Sequence, residues 1–144
     1  YFKRIPKIII VEPDRADCVL QSIKSRKLKK IKIKKESIMG GMSCNEMSYI
    51  PWQILKKASN YCVSVSDRNV AKTVALLKDK KLSKNSIIGG ECSTPGIISL
   101  ISVCNDSKTK KLIELNEKSN VLIIGCEGNA DVKLYKQLLS KGRK

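Results

Sequence analysis

One unit recurs along this chain: a short run of β-branched apolar residues, a turn of glycine and small polar residues, then a helix-period pattern. That unit constrains the fold more than anything else in the sequence. Apolar runs of four to six residues bounded by turns suit strands covered on both faces. A strand feeding a helix through a tight turn is half of a β-α-β unit, and its repetition builds an α/β fold with a mostly parallel sheet and flanking helices.

The units can be followed in order. Lys7-Ile8-Ile9-Ile10-Val11-Glu12-Pro13 reads as a buried parallel strand closed by proline. Asp14 is placed to cap a helix over residues 15–24, with Ala16, Val19, Leu20 and Ile23 on its inner face. Ile31 and Ile33 alternate with lysine, as in a short exposed edge strand where charge discourages stray pairing. Ile38-Met39-Gly40-Gly41-Met42-Ser43-Cys44 is a loop allowing close backbone approach, and a helix follows with Pro51 in its first turn. Tyr61-Cys62-Val63-Ser64-Val65-Ser66 alternates as a strand; Ser66 or Asp67 then caps a helix with Val70, Val74 and Leu77 inward. Ile87-Ile88-Gly89-Gly90-Glu91 reads as a strand, Cys92-Ser93-Thr94-Pro95-Gly96 as a turn, and residues 97–104 as an apolar helix. A short helix is expected within the polar residues 105–120. Val121-Leu122-Ile123-Ile124 reads as a buried strand opening into Gly125-Cys126-Glu127-Gly128-Asn129-Ala130-Asp131, where Asp131 caps a last helix to about Leu139. With no repeat and no linker-like stretch, residues 1–144 are expected to form a single domain.

Charge raises a different possibility. The net charge is +16, and eight of the twelve positions 24–35 are basic. Such a field attracts polyanions, so a basic nucleic-acid-binding α/β module is the alternative class. Lysine far outnumbers arginine, however, and aromatic residues hardly interleave with the basic ones, so neither bidentate phosphate contacts nor base stacking is well served. Nucleic acid is therefore not expected as a partner. No apolar run approaches membrane-spanning length, and no membrane partner is expected. Six cysteines without a close pair, and no histidine, fit scattered thiols in a reduced, cytoplasmic setting and leave no zinc pattern.

Open α/β sheets bind ligands beyond the carboxyl ends of their strands. The three glycine-bearing turns, residues 40–45, 89–96 and 125–131, would lie there. None is a phosphate-binding Walker loop or a complete dinucleotide fingerprint. Without histidine there is no Ser-His or Cys-His pair. Catalysis, if any, rests on a cofactor or on lysine and carboxylate chemistry.

Read in order, Ile-Ile-Val-Glu-Pro-Asp-Arg-Ala-Asp-Cys (residues 9–18), Gly40-Gly41-Met42-Ser43-Cys44, Gly90-Glu91-Cys92-Ser93 and Cys126-Glu127-Gly128-Asn129-Ala130-Asp131 resemble diaminopropionate ammonia-lyase. The resemblance runs from about Lys7 to Leu139. Glu12-Pro13 is shared across that superfamily; Ala16-Asp17-Cys18 and the Cys-Glu-Gly-x-x-Asp turn are more particular to this lyase. The family is a pyridoxal-phosphate enzyme of fold type II, resembling tryptophan synthase. The resemblance implies that this chain is the C-terminal part of the large, cofactor-binding domain. It implies α,β-elimination of 2,3-diaminopropionate, a small amino-acid substrate, to pyruvate and ammonia, and a homodimer when complete. A threonine or serine ammonia-lyase relative is the nearest alternative enzyme.

The resemblance also places the Schiff-base lysine and the glycine-rich phosphate loop ahead of the Glu12-Pro13 strand. The chain's opening at Tyr1 would then lie in the helix leading from that loop. No catalytic residue is expected here, and the isolated chain is expected to be inactive for want of its N-terminal part. Cys126 matches the hydroxyl or thiol near the pyridine nitrogen, and a small buried thiol is the plainer reading. Glu91 matches a carboxylate beside the ring, against a helix N-terminal acid. Gly89 and Gly90 match the close approach to the ring, against ordinary turn glycines. Gly40 and Gly41 match the active-site loop. Cys92-Ser93-Thr94-Pro95 is bulkier than the family's Ser-Gly-Ala run and could crowd the cofactor.

Overall fold

The computed structural model describes residues 5–144; the expected helix at Tyr1 lies outside them. The chain forms two compact units, residues 1–67 and 68–144.

The first unit is built on two parallel strands, β1 (Ile9–Pro13) and β2 (Tyr61–Val65), in register from Ile9 beside Tyr61 to Pro13 beside Val65. Asn60 closes one end: its side-chain oxygen accepts the Ile8 N–H at 2.8 Å, and its own N–H donates to the Ile8 carbonyl at 2.9 Å. Parallel strands need a long crossover, and residues 14–60 supply it with helices α1 (Cys18–Ser25) and α2 (Tyr49–Ala58). Helix α2 buries Trp52, while Ile50 and Ile54 stay exposed.

Helix α1 begins three residues later than its sequence suggests, and Asp14 does not cap it. Asp17 holds the cap position without a side-chain bond. The orphan N–H groups of α1 are taken instead by Glu12, the penultimate residue of β1. Its carboxylate accepts from Val19 at 2.9 Å and Leu20 at 2.8 Å. A cap borrowed from the preceding strand satisfies the same groups as a local one.

The basic stretch is not a strand. Residues 28–33 have no regular structure, although Ile31 and Ile33 are half-buried and Lys32 between them is exposed. Both ends of this stretch are pinned. Lys29 N–H donates to the Ser22 hydroxyl at 2.9 Å. At the far end, Asp67 accepts from the Ser37 hydroxyl at 2.6 Å, the Ile38 N–H at 3.2 Å and Arg15 at 2.7 Å. Asp67 is thus committed to residues 15–38 rather than to capping.

The second unit is helical. Helix α3 (Val70–Lys78) presents Val70, Val74 and Leu77 to the core as expected and packs along α6 (Val132–Gly142), which buries Tyr135 and Leu138. Helix α4 (Pro95–Cys104) adds Ile98 and Val103, and α5 (Ser107–Leu112) is the short helix expected in the polar stretch. Asp131 caps α6 by accepting from Leu134 N–H at 2.8 Å.

Two expected strands, residues 87–91 and 121–124, are not strands here, and Glu91 instead opens a 3-10 turn. A strand exists only through its pairing, and the one ladder among the described residues is β1 with β2. Both segments keep strand-forming composition, and both leave large apolar side chains exposed.

Candidate functional site

Two of the three glycine turns meet in the second unit. After the apolar residues 87–88, Gly89 and Gly90 lead into a 3-10 turn, Glu91–Ser93, which runs into α4. After residues 121–124 comes Gly125-Cys126-Glu127-Gly128. Glu127 ties the two turns together with nearly all its polar groups. Its carbonyl accepts from Gly90 N–H at 3.1 Å and from the Ser93 hydroxyl. Its N–H donates to the same hydroxyl at 3.1 Å, and its carboxylate accepts from Cys92 N–H at 2.8 Å. One buried serine therefore grips both peptide units of the residue that follows Cys126. The Cys126 thiol itself is exposed.

Glycine at 90 has a clear cause. A Cβ there would stand 2.2 Å from the Gly128 carbonyl oxygen and 2.7 Å from the Glu127 carboxylate. At Gly89 it would meet Ser93 Cβ at 3.1 Å. Gly90 thus lets the two turns close on each other, while Gly89 makes room within its own turn. Glu91 lies half-buried beside them, and burial raises its carboxyl above the usual range, with Glu127 and Asp131 adding repulsion. Glu91, Cys92 and Glu127 bring ligand-type atoms within 4.8 Å of one another, but the Glu127 carboxylate already serves the Cys92 amide.

The bulky residues of the 92–95 turn face inward. Ser93 is 7% and Thr94 0% exposed, and the Thr94 hydroxyl donates to the Glu91 carbonyl at 2.7 Å.

The third turn belongs to the first unit. Gly40–Met42 forms a 3-10 turn with Gly40 and Gly41 exposed. A Cβ at Gly40 would meet nothing within 4 Å, and no described glycine has positive φ. Neither packing nor backbone angle calls for glycine there, and the same is true of Gly128. In the second unit the bare Gly128 and the exposed Cys126 thiol lie on the same turn. The joined turns of the second unit are compatible with one wall of a pyridoxal-phosphate pocket.

The buried charge at Glu12 was absent from the expected site. Cys18 and Cys62 each place a sulfur 3.8 Å from its carboxylate. Burial, then the nearby carboxylate, pushes the Cys18 thiol up to about 11 and the Cys62 thiol up to about 12. Both therefore stay protonated, as weak donors rather than nucleophiles. The only linear signal was Glu12-Pro13 itself; nothing in the sequence pairs residue 12 with residue 62. The Ser93–Glu127 grip was missed for the same reason, spanning 34 positions.

No family model matches the chain. Diaminopropionate ammonia-lyase of Escherichia coli K12 is 31% identical over 138 residues, covering 94% of this chain and 35% of the relative. That of Salmonella typhimurium LT2 is 26% identical and covers 98% of this chain and 36% of the relative. The chain thus spans about a third of the length of the curated relatives it matches. Among solved structures, the E. coli enzyme in complex with D-serine superposes with a TM-score of 0.83 at 29% identity, over 95% of this chain and 34% of the other. The same enzyme has been solved with an aminoacrylate-PLP azomethine reaction intermediate, which matches at 0.80 and 30% identity over 94% of this chain and 34% of the other. A threonine deaminase from T.th. shares the fold at 16% identity and a TM-score of 0.57, over 71% of this chain and 35% of the other. The likeness to the C-terminal portion of diaminopropionate ammonia-lyase, and the α/β fold of type II pyridoxal-phosphate enzymes, are as the motifs indicated.

Proposed function

We propose that this chain, similar along nearly all its length to a third of diaminopropionate ammonia-lyase, builds the ring-nitrogen side of such an enzyme's pyridoxal-phosphate pocket. On this reading residues 1–144 are one part of the large domain, and the complete, cytoplasmic protein is a homodimer. It eliminates ammonia from 2,3-diaminopropionate to give pyruvate and ammonia. The observation that carries the reading is the joining of the 89–93 and 125–128 turns through Glu127, with Cys126 exposed beside the joint.

The cofactor, when bound, supplies an electron sink that makes loss of the α-proton and expulsion of the β-amine feasible. The chain's own residues set the surroundings. Cys126 would offer its thiol to the ring nitrogen in place of a carboxylate, which would moderate the electron sink as β-elimination needs. Glu127 and Ser93 fix the backbone on either side of that thiol. Gly90 lets the two turns meet behind it, and Gly89 and Glu91 would line the same edge. Gly40 and Gly41, in the first unit, match the family's active-site loop by resemblance.

Two measurements test this. Incubated with pyridoxal phosphate and dialysed, the isolated chain is expected to retain no lysine-bound absorbance band; a retained band that reduction maps to one lysine overturns the absence of the anchoring lysine here. Joined behind the upstream part of the E. coli relative, the chain is expected to release ammonia from 2,3-diaminopropionate faster than from threonine or serine. Preference for threonine would assign it to the other lyase class.

A further inference from the structure

The lysine-rich stretch of the first unit has no part in the reading above. With helix α1 it forms an open hollow of about 500 Å³, within the range of about 300–1,000 Å³ that small-molecule clefts span. Lys29, Lys30, Lys32, Lys34 and Lys35 line it. Among the described residues Lys29, Lys32, Lys34 and Lys35 make no ion pair, and Lys30 meets Glu46 only at 3.8 Å. Like charges gathered on one hollow repel each other. The backbone holds them there all the same. Lys29 N–H donates to the Ser22 hydroxyl at 2.9 Å, and Ile31 N–H to the Asn45 carbonyl at 2.8 Å. The half-buried Ile31 and Ile33 alternate with the exposed Lys32 and Lys34. Asp14 and Asp17 line the same hollow, yet neither forms an ion pair with these lysines. Asp17 accepts from the Gln21 amide at 2.7 Å, and Arg15, also in the lining, is engaged by Asp67 at 2.7 Å. Cations and carboxylates thus share one space without closing on each other.

We propose that this hollow binds a small polyol carrying two phosphate groups. Each part of the lining selects part of that chemistry. A lysine ammonium is a point charge with three donors and no acceptor, suited to phosphate oxygens. Ionised Asp14 and Asp17 can only accept. They disfavour a purely anionic ligand and favour one with hydroxyl groups to donate. No aromatic residue lines the hollow, so nothing there stacks a nucleobase. Two phosphates among the lysines would relieve their mutual repulsion, and the pinned backbone leaves little to be ordered on binding. The hollow shares no residue with the three glycine turns, so its ligand is independent of the lyase reading.

Calorimetric titration of the full chain at physiological salt tests this, with fructose 1,6-bisphosphate, pyrophosphate and inorganic phosphate as probes. The bisphosphate is expected to bind with a Kd of about 100 μM or tighter, and about tenfold tighter than either inorganic anion. Lys32→Gln/Lys34→Gln should weaken it at least about tenfold. Lys133→Gln/Lys136→Gln removes the same charge from α6 in the second unit and should leave it unchanged. Asp14→Asn should weaken the bisphosphate and strengthen pyrophosphate. All five side chains are exposed, so the variants keep the fold. Equal weakening by the two lysine pairs, or binding lost at physiological salt, leaves bulk charge alone and overturns the site. Pyrophosphate held as tightly as the bisphosphate overturns the polyol. An oligonucleotide that displaces the bisphosphate at physiological salt gives these lysines to nucleic acid and overturns it as well.

Discussion

Glu12 holds a position that alanine cannot fill. It is buried at the end of β1, with two helical N–H groups on its carboxylate and two thiols beside it. Burial raises its carboxyl above 4.5, and the Val19 and Leu20 amides offset only part of that. A carboxyl that binds its proton more tightly when folded favours folding fully below its unfolded pKa, and that contribution is lost as pH rises through the folded value. The stability of the native chain relative to Glu12→Gln, measured by urea unfolding, should therefore fall between pH 4.5 and neutrality. Glu12→Ala should cost about 1–3 kcal/mol at either pH, because it strands two N–H groups. Ser93→Ala removes both hydroxyl bonds to Glu127; a loss of about 1–3 kcal/mol is expected, with faster amide exchange at Glu127 and unchanged exchange in α6. Neither residue's role was legible in order along the chain. Each acts on partners brought near by the fold, whereas the Asp131 cap, acting three residues away, was read directly.

Helices were legible where their signals are local. The inward positions of α3 follow from spacing alone, and α4 was found where expected, though it opens at Pro95, two residues before the expected start at 97. Strands were legible only where their neighbours are present. β1 and β2 find each other, whereas the equally apolar residues 121–124 remain unpaired, because strand character is a property of two segments. Helix packing adds a requirement the sequence states only as a glycine near the end of a helix. A Cβ at Gly142 would stand 2.0 Å from the Ala71 carbonyl oxygen and 3.0 Å from Ala75 Cβ. Gly142→Ala should push α6 from α3 and lower stability by about 1–3 kcal/mol, seen as a reduced melting temperature. Any gain in helix propensity from alanine, about 1 kcal/mol, is too small to reverse the sign.

Across the whole molecule the dominant quantity is charge, +16 over 144 residues. The pairs Arg15–Asp67, Lys30–Glu46 and Arg143–Asp79 engage only a few of these cations. The isolated chain should therefore bind an oligonucleotide at low salt and release it steeply as salt rises, since each neutralised phosphate returns its counterions. Fluorescence anisotropy that stayed high at physiological salt, with preference among sequences, would revive the nucleic-acid reading. The α/β class and the lyase likeness were legible because motif order survives in any fragment; the meeting of two turns was not, because it depends on the closed fold. The lysine-rich stretch, held at one end through Ser22 and at the other through Asp67, lends itself to a different use. Lengthening a tethered segment costs entropy only logarithmically, so an epitope or affinity peptide spliced near Lys32 should be displayed without unfolding its host.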